Sequence, residues 1–182
     1  MNFNIYTFYK FNYICILPLI KVNKLSKLPN IKINIILILI SEGSLTRSIE
    51  YLTKNIVYIQ KSQKEDYKLN FQERKIRSVW MGTYLYTQLT FARSLWITIY
   101  NKKIKIINQL SKLPIGKSFI KYELDILKTI HELYYGYNQF IDKSYIQHRP
   151  IWGRKYTIHY KNKYYITIQE FFSHEIIDHL IK

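Results

Sequence analysis

Four charged residues lie in phase with apolar neighbours: Arg77 with Val79 and Met81, Arg93 with Phe91 and Leu95, Arg154 with Trp152, Tyr156 and Ile158, and Glu170 with Ile166, Ile168 and Phe172. Side chains two apart on a strand share a face, so in extended segments each of these charges falls on the more apolar side. Burying an unpaired charge costs on the order of several kcal/mol, so such residues must pair with one another or bind something. Three arginines against one glutamate leave an excess of positive charge. That excess suits an anionic ligand, and the planar guanidinium fork grips a carboxylate through two hydrogen bonds. A carboxyl group held between apolar neighbours and arginines, as Glu170 would be, is placed for general acid or base work. The residues alone leave one alternative open, in which Glu170 merely neutralises Arg154 or Arg93.

Other chemistries find less support. Cys15 is the only cysteine, which excludes an intrachain disulfide and a cysteine-based zinc site. The histidines His131, His148, His159, His174 and His179 lack metal-ligand spacing; even His174 and His179 are one residue too far apart for a helical i, i+4 pair. Ser44, Ser94 and Ser118 have neither a nucleophile elbow nor a local histidine partner. There is no glycine-rich phosphate loop. No metal is expected.

The elements that would position these charges are mostly strands. Residues 55–63, 75–81, 87–100, 126–137, 152–160 and 164–172 are rich in β-branched and aromatic side chains. Residues 82–86 join two of them in hairpin fashion, and Lys161-Asn162-Lys163 joins the last two. Residues 30–41 form an apolar stretch whose periodicity fits either a helix or a buried strand. Glu42-Gly43 breaks it, after which Ser44 or Thr46 can cap a short helix with Leu45, Ile49 and Leu52 on its apolar side. Leu113-Pro114-Ile115-Gly116 is a turn into another short helix, and a last helix is expected over residues 174–181. Antiparallel sheet with a few helices is the α+β class.

At 182 residues the chain is sized for one domain. Residues 1–30, with Pro18 and Pro29, read as an irregular lead-in and residues 31–182 as a single domain. The net charge of +16 invites a nucleic-acid reading. The same chain is crowded with Lys, Asn, Ile, Tyr and Phe and poor in Gly, Pro and Ala, the signature of AT-rich codons. The charge is therefore discounted as a sign of partners, and the lysines at 21–27 and 102–105 read as solvated loops. The apolar runs at 13–20 and 35–40 fall short of the roughly 18 residues a membrane span needs. Residues 1–20 also lack the Arg- and Ser-rich character of a transit peptide, so a protein working in an organelle would be made there.

Six blocks run in order along the chain: Leu39-Ile40-Ser41-Glu42-Gly43-Ser44-Leu45-Thr46, Arg77-Ser78-Val79, Phe91-Ala92-Arg93-Ser94-Leu95, Pro114-Ile115-Gly116, Trp152-Gly153-Arg154-Lys155 and Glu170-Phe171-Phe172. Together they resemble the chorismate pyruvate-lyase (4-hydroxybenzoate synthase) family, and within it the plastid-encoded branch known as the hypothetical chloroplast reading frame twenty-one group. The resemblance implies an antiparallel sheet with helical flaps over a buried ligand pocket. It also implies cleavage of chorismate to 4-hydroxybenzoate and pyruvate with no cofactor, in a plastid stroma. Carried onto this chain, Glu170 is the acid/base and hydrogen-bonds the ring hydroxyl. Arg77 and the backbone N–H of Ile115 bind the ring carboxylate, and Leu45 lines the pocket, with Arg93 and Arg154 in supporting electrostatic roles. Ser78 stands where the family usually carries Glu, a candidate loss of a partner for an arginine, and Ile115 replaces the commoner Leu. The expected partner is a small anionic aromatic acid, with no specific nucleic acid, no membrane span and a monomer favoured. A non-catalytic effector-sensing domain with the same pocket is the second reading, and a basic RNA-associated protein the last.

Overall fold

The alternation of β-branched and aromatic residues becomes a seven-stranded antiparallel sheet in a computed structural model that describes residues 11–18, 31–69, 72–85, 88–98, 113–138, 149–160 and 164–181. The strands are β1 (Phe11–Pro18), β2 (Tyr58–Leu69), β3 (Gln72–Gly82), β4 (Thr90–Thr98), β5 (Leu127–Asn138), β6 (Ile151–Tyr160) and β7 (Tyr164–Phe172). Their order across the sheet is β1-β5-β6-β7-β4-β3-β2, so β1 and β2 form the edges and β7 lies in the middle. Four described helices accompany them: α1 (Ile33–Ile40), α2 (Leu45–Thr53), α3 (Ile115–Lys121) and α4 (His174–Ile181). The class is α+β, as expected. The lysines at 21–27 and 102–105 and the connection 161–163 lie outside the described residues.

Each helix forms where one stripe of side chains can be buried. The ambiguous apolar run resolves as α1, which buries Ile35, Ile38 and Leu39 at helical spacing while Ile33 and Leu37 face outward. In α2, Leu45, Thr46 and Ile49 turn inward, and Lys54 in the left-handed conformation ends the helix. Ser44 occupies the N-cap position, yet its side chain makes no capping bond. The helix side of the sheet carries Val79, Met81, Ala92, Trp96, Ile158, Ile168 and Phe172, packed with the inward stripes of α1 and α2. Each fully buried large side chain there contributes about 1.5–3 kcal/mol. The opposite face is apolar too, with Trp80, Phe91, Tyr134, Ile151 and Phe171 clustered.

One expectation is corrected. Within the irregular lead-in of residues 1–30, Phe11–Pro18 is a strand, paired with β5 from Phe11 opposite Asn138 to Pro18 opposite Glu132. Tyr13, Cys15 and Leu17 are half-buried and alternate with exposed Asn12, Ile14 and Ile16. The exposed positions are themselves mostly apolar, which hides the two-residue period in the sequence. Pro18 has no N–H to give a ladder and is tolerated at the end of an edge strand.

Candidate active site

The register decides which charges meet. Across the helix-facing side, one row runs Ile130, Tyr156, Ile168, Ser94, Arg77 from β5 to β3, and the next runs Leu133, Arg154, Glu170, Ala92, Val79. Arg77 and Glu170 thus share a face, two strands and two residues apart. With strands about 4.8 Å apart and about 3.4 Å of rise per residue, their Cα atoms are separated by about 12 Å. The strand between them presents Ala92, whose small side chain leaves the floor open.

Above this floor lies a cavity of about 260 Å³. Its polar lining includes Arg77, Lys128, Tyr156 and Glu170, and α2 and α3 roof it through Leu45, Ile115 and Phe119. The glycine of the Pro114-Ile115-Gly116 turn packs against the start of α2: a Cβ on Gly116 would come within 2.5 Å of Ser44 Oγ, a hydroxyl that would have to turn away. Gly153 is required by the sheet, because a Cβ there would lie 2.7 Å from the backbone oxygen of Glu170. Gly153 therefore permits close approach of backbone.

Glu170 is buried, with both carboxylate oxygens engaged. Oε2 accepts from Arg154 Nε at 2.8 Å, and Oε1 accepts from the Tyr156 hydroxyl at 2.5 Å. Burial, followed by the negative charge of Glu170, pushes the Tyr156 hydroxyl well above its ordinary range, so it remains a donor. Arg154 is 0% exposed and lies outside the cavity lining. Its Nη1 donates to the carbonyls of Ile38, Leu39 and Ser41 at 2.7, 3.4 and 3.0 Å, placing a cation against the negative C-terminal end of α1. Arg154 therefore holds Glu170 on one side and the end of α1 on the other.

Arg77 is buried and lines the cavity. Both terminal nitrogens donate to the Leu113 carbonyl at 3.3 Å, which ties it to the turn that starts α3. Burial lowers its pKa, yet a guanidinium stays charged. Ile115 is the first residue of α3 and lines the cavity, so its N–H belongs to the helix-end donors that have no acceptor within the helix.

Arg93 does not join this group. It lies opposite Ser78 on β3 and Gln169 on β7, and alternation puts all three on the face away from the helices. Both faces of β4 are buried, so in-phase hydrophobicity could not choose between them. The same register shows that the Ser78 departure falls across from Arg93, away from the cavity.

Tyr156 and Lys128 are among the polar lining residues missed as site residues from sequence. Lys128 Nζ donates to the carbonyls of Ser41 and Gly43 at 3.0 and 3.4 Å and sits 4.2 Å from the centre of the Tyr156 ring. The available signal was its alternation with Ile126 and Ile130. A register shift between Ile130 and Glu132 hides it, because the helix-facing side passes to Leu133 and Tyr135 beyond that point. Among the described residues, no group of three or more His, Cys, Asp or Glu is placed to hold a metal ion, and no helix is long and apolar enough to cross a membrane.

An antiparallel sheet with α-helices roofing a cavity floored by a buried Glu and lined by an Arg is the frame in which the comparisons with known proteins fall. The family described as Chorismate pyruvate-lyase Rv2949c-like matches residues 39–180, and the chain belongs to it. Uncharacterized protein ycf21 of Antithamnion sp. is 39% identical over 162 residues, covering 86% of this chain and 89% of that protein. Its namesake in Porphyra purpurea is 38% identical over 143 residues, covering 75% and 78%. These relatives are plastid reading frames of red algae, which supports a plastid-encoded chain.

Proposed function

We propose that the protein cleaves chorismate to 4-hydroxybenzoate and pyruvate in the plastid stroma. The observation that carries the reading is the cavity that has Glu170 in its lining with Arg77 two strands away. Arg77, with the Ile115 N–H, receives the ring carboxylate, and Leu45 packs against the ring. Glu170 accepts a hydrogen bond from the ring hydroxyl and takes the proton from the carbon bearing it. The electron pair of that C–H bond enters the ring as the ether C–O bond breaks, and aromatisation drives the step. The ether oxygen leaves with the enolpyruvyl group, which regains the proton and becomes pyruvate. The two products together contain all the atoms of chorismate, so the reaction needs no oxidant or reductant. Tyr156 and Arg154 fix both oxygens of the base, which holds its orientation before the substrate arrives.

Incubation of purified protein with chorismate, following both products by chromatography beside a Glu170→Gln variant, tests this. Equal amounts of 4-hydroxybenzoate and pyruvate, lost in the variant, are expected. Folded protein giving no product above the spontaneous background would sink the lyase reading. Binding of 4-hydroxybenzoate without turnover would instead favour an effector-sensing domain.

A further inference from the structure

Chorismate carries two carboxylates, one on the ring and one on the enolpyruvyl ether. Arg77 accounts for one, and Arg154 is withdrawn behind Glu170, wholly buried and bonded to Glu170 and to the carbonyls at the end of α1. Among the described residues, the other cation in the cavity lining is Lys128.

Its place in the sheet is the counterpart of Arg77. In the order β5-β6-β7-β4-β3, Lys128 on β5 and Arg77 on β3 each stand two strands from β7, which carries Glu170 between them. Along the strands Lys128 is four residues from Glu170, so their Cα atoms are about 17 Å apart, and its long side chain reaches across part of that distance to bring Nζ over the ring of Tyr156, the residue that donates to Glu170. An ammonium group has three hydrogens to donate. Lys128 directs two to Ser41 and Gly43, which leaves the third for a ligand. The face of the Tyr156 ring at 4.2 Å stabilises the positive charge, and the same tyrosine donates to Glu170.

We infer that Lys128 binds the second carboxylate, on the ether side of the substrate, so that the site selects aromatic dicarboxylates over monocarboxylates. This rests on the aromatic-acid reading above. Lys128 also holds the carbonyls of Ser41 and Gly43, just before α2, so the group assigned to the second carboxylate is itself tied to the start of the α2 roof.

Isothermal titration of the full chain with two stable ligands tests the assignment. 4-Hydroxybenzoate has one carboxylate, and 3-(carboxymethoxy)-4-hydroxybenzoate adds a second on an ether oxygen. Wild type should prefer the dicarboxylate. Lys128→Met should weaken the dicarboxylate by about 10- to 100-fold, the range for one charge-assisted hydrogen bond, while 4-hydroxybenzoate changes far less. Lys128→Arg should restore most of the difference. Equal weakening of both ligands in Lys128→Met would overturn the inference and leave Lys128 a fastener of the roof. So would a wild-type protein that binds the two ligands alike. If wild type binds neither, the aromatic-acid reading has failed, and this assignment goes with it.

Discussion

Adjacent residues of β6 carry two ion pairs, one on each face of the sheet, the first buried and the second half-buried. Arg154 meets Glu170 at 2.8 Å on the helix-covered face, and Lys155 lies 3.6 Å from Glu132 on the other. The second pair also has a tyrosine: the Tyr134 hydroxyl donates to Glu132 Oε2 at 2.6 Å, and Gln169 Nε2 donates to Tyr134 at 3.2 Å. Burial, with the Glu132 hydrogen bond, pushes the Tyr134 hydroxyl far up, as burial and the Glu170 charge do to Tyr156. The chemical parts are nearly the same. What differs is the space beside them: Glu170 and Tyr156 border a cavity with Arg77 and Lys128 in its wall, whereas Glu132 and Tyr134 belong to no part of that lining. A carboxylate with a tyrosine and a cation is therefore not a site by itself. Room beside it makes the difference, together with donors left unspent.

The widest separation of the two faces should come from the carboxylates. Glu170→Gln is expected to lower chorismate turnover by about 10²–10⁴-fold, the usual scale for losing a general acid/base, with Glu132→Gln leaving kcat unchanged in the same product assay. Stability should separate them next. Arg154→Met strands a carboxylate that is 4% exposed and should cost about 3–5 kcal/mol in urea unfolding. Lys155→Met should cost only about 1 kcal/mol, because Glu132 keeps 27% of its side-chain surface exposed and retains its tyrosine donor. A reversal of that order would mean that burial does not govern these pairs.

Filling the space itself is the third test. Ala92→Leu puts a larger side chain into the open floor and should weaken 4-hydroxybenzoate binding by about tenfold or more while the protein still unfolds cooperatively. The smallest effect is a pH dependence. Burial and then Arg154 lower Lys128 to about 8, opposed by Glu170 and Glu42, with the Tyr156 ring as its remaining neighbour. Only the charged amine binds a carboxylate, so dicarboxylate affinity should be full below that value and fall as pH rises through it. Between pH 7 and pH 9 the loss is about tenfold at most, and 4-hydroxybenzoate should not show it. A flat profile for both ligands would remove Lys128 from recognition.

Much of this arrangement was legible in the sequence. The strand segments from residue 55 onward and the last helix follow from local alternation and turn chemistry. The in-phase charges Arg77, Arg154 and Glu170 do share one face, because the register keeps their parity across β3, β4, β7 and β6. Arg93 obeyed the same rule and went to the other side, since a strand buried on both faces gives no sign of which is which. Lys128 was concealed by a single irregularity in β5, and β1 by apolar residues on its exposed side. All three turn on long-range pairing, which local periodicity does not encode.

The position of β7 has a consequence for how the chain is made. Strands β2, β3 and β4 can pair as they are completed, and β5 and β6 can pair with each other and with β1. Among the described strands, these two groups touch across the sheet only through β7, the last of them. A nascent polypeptide that stops before Tyr164 has two ribbons with no strand between them, each with an unpaired edge open to neighbouring molecules. Glu170 arrives on the strand that closes that gap, so under the proposed chemistry a prematurely terminated product is both the most prone to aggregate and wholly without its base.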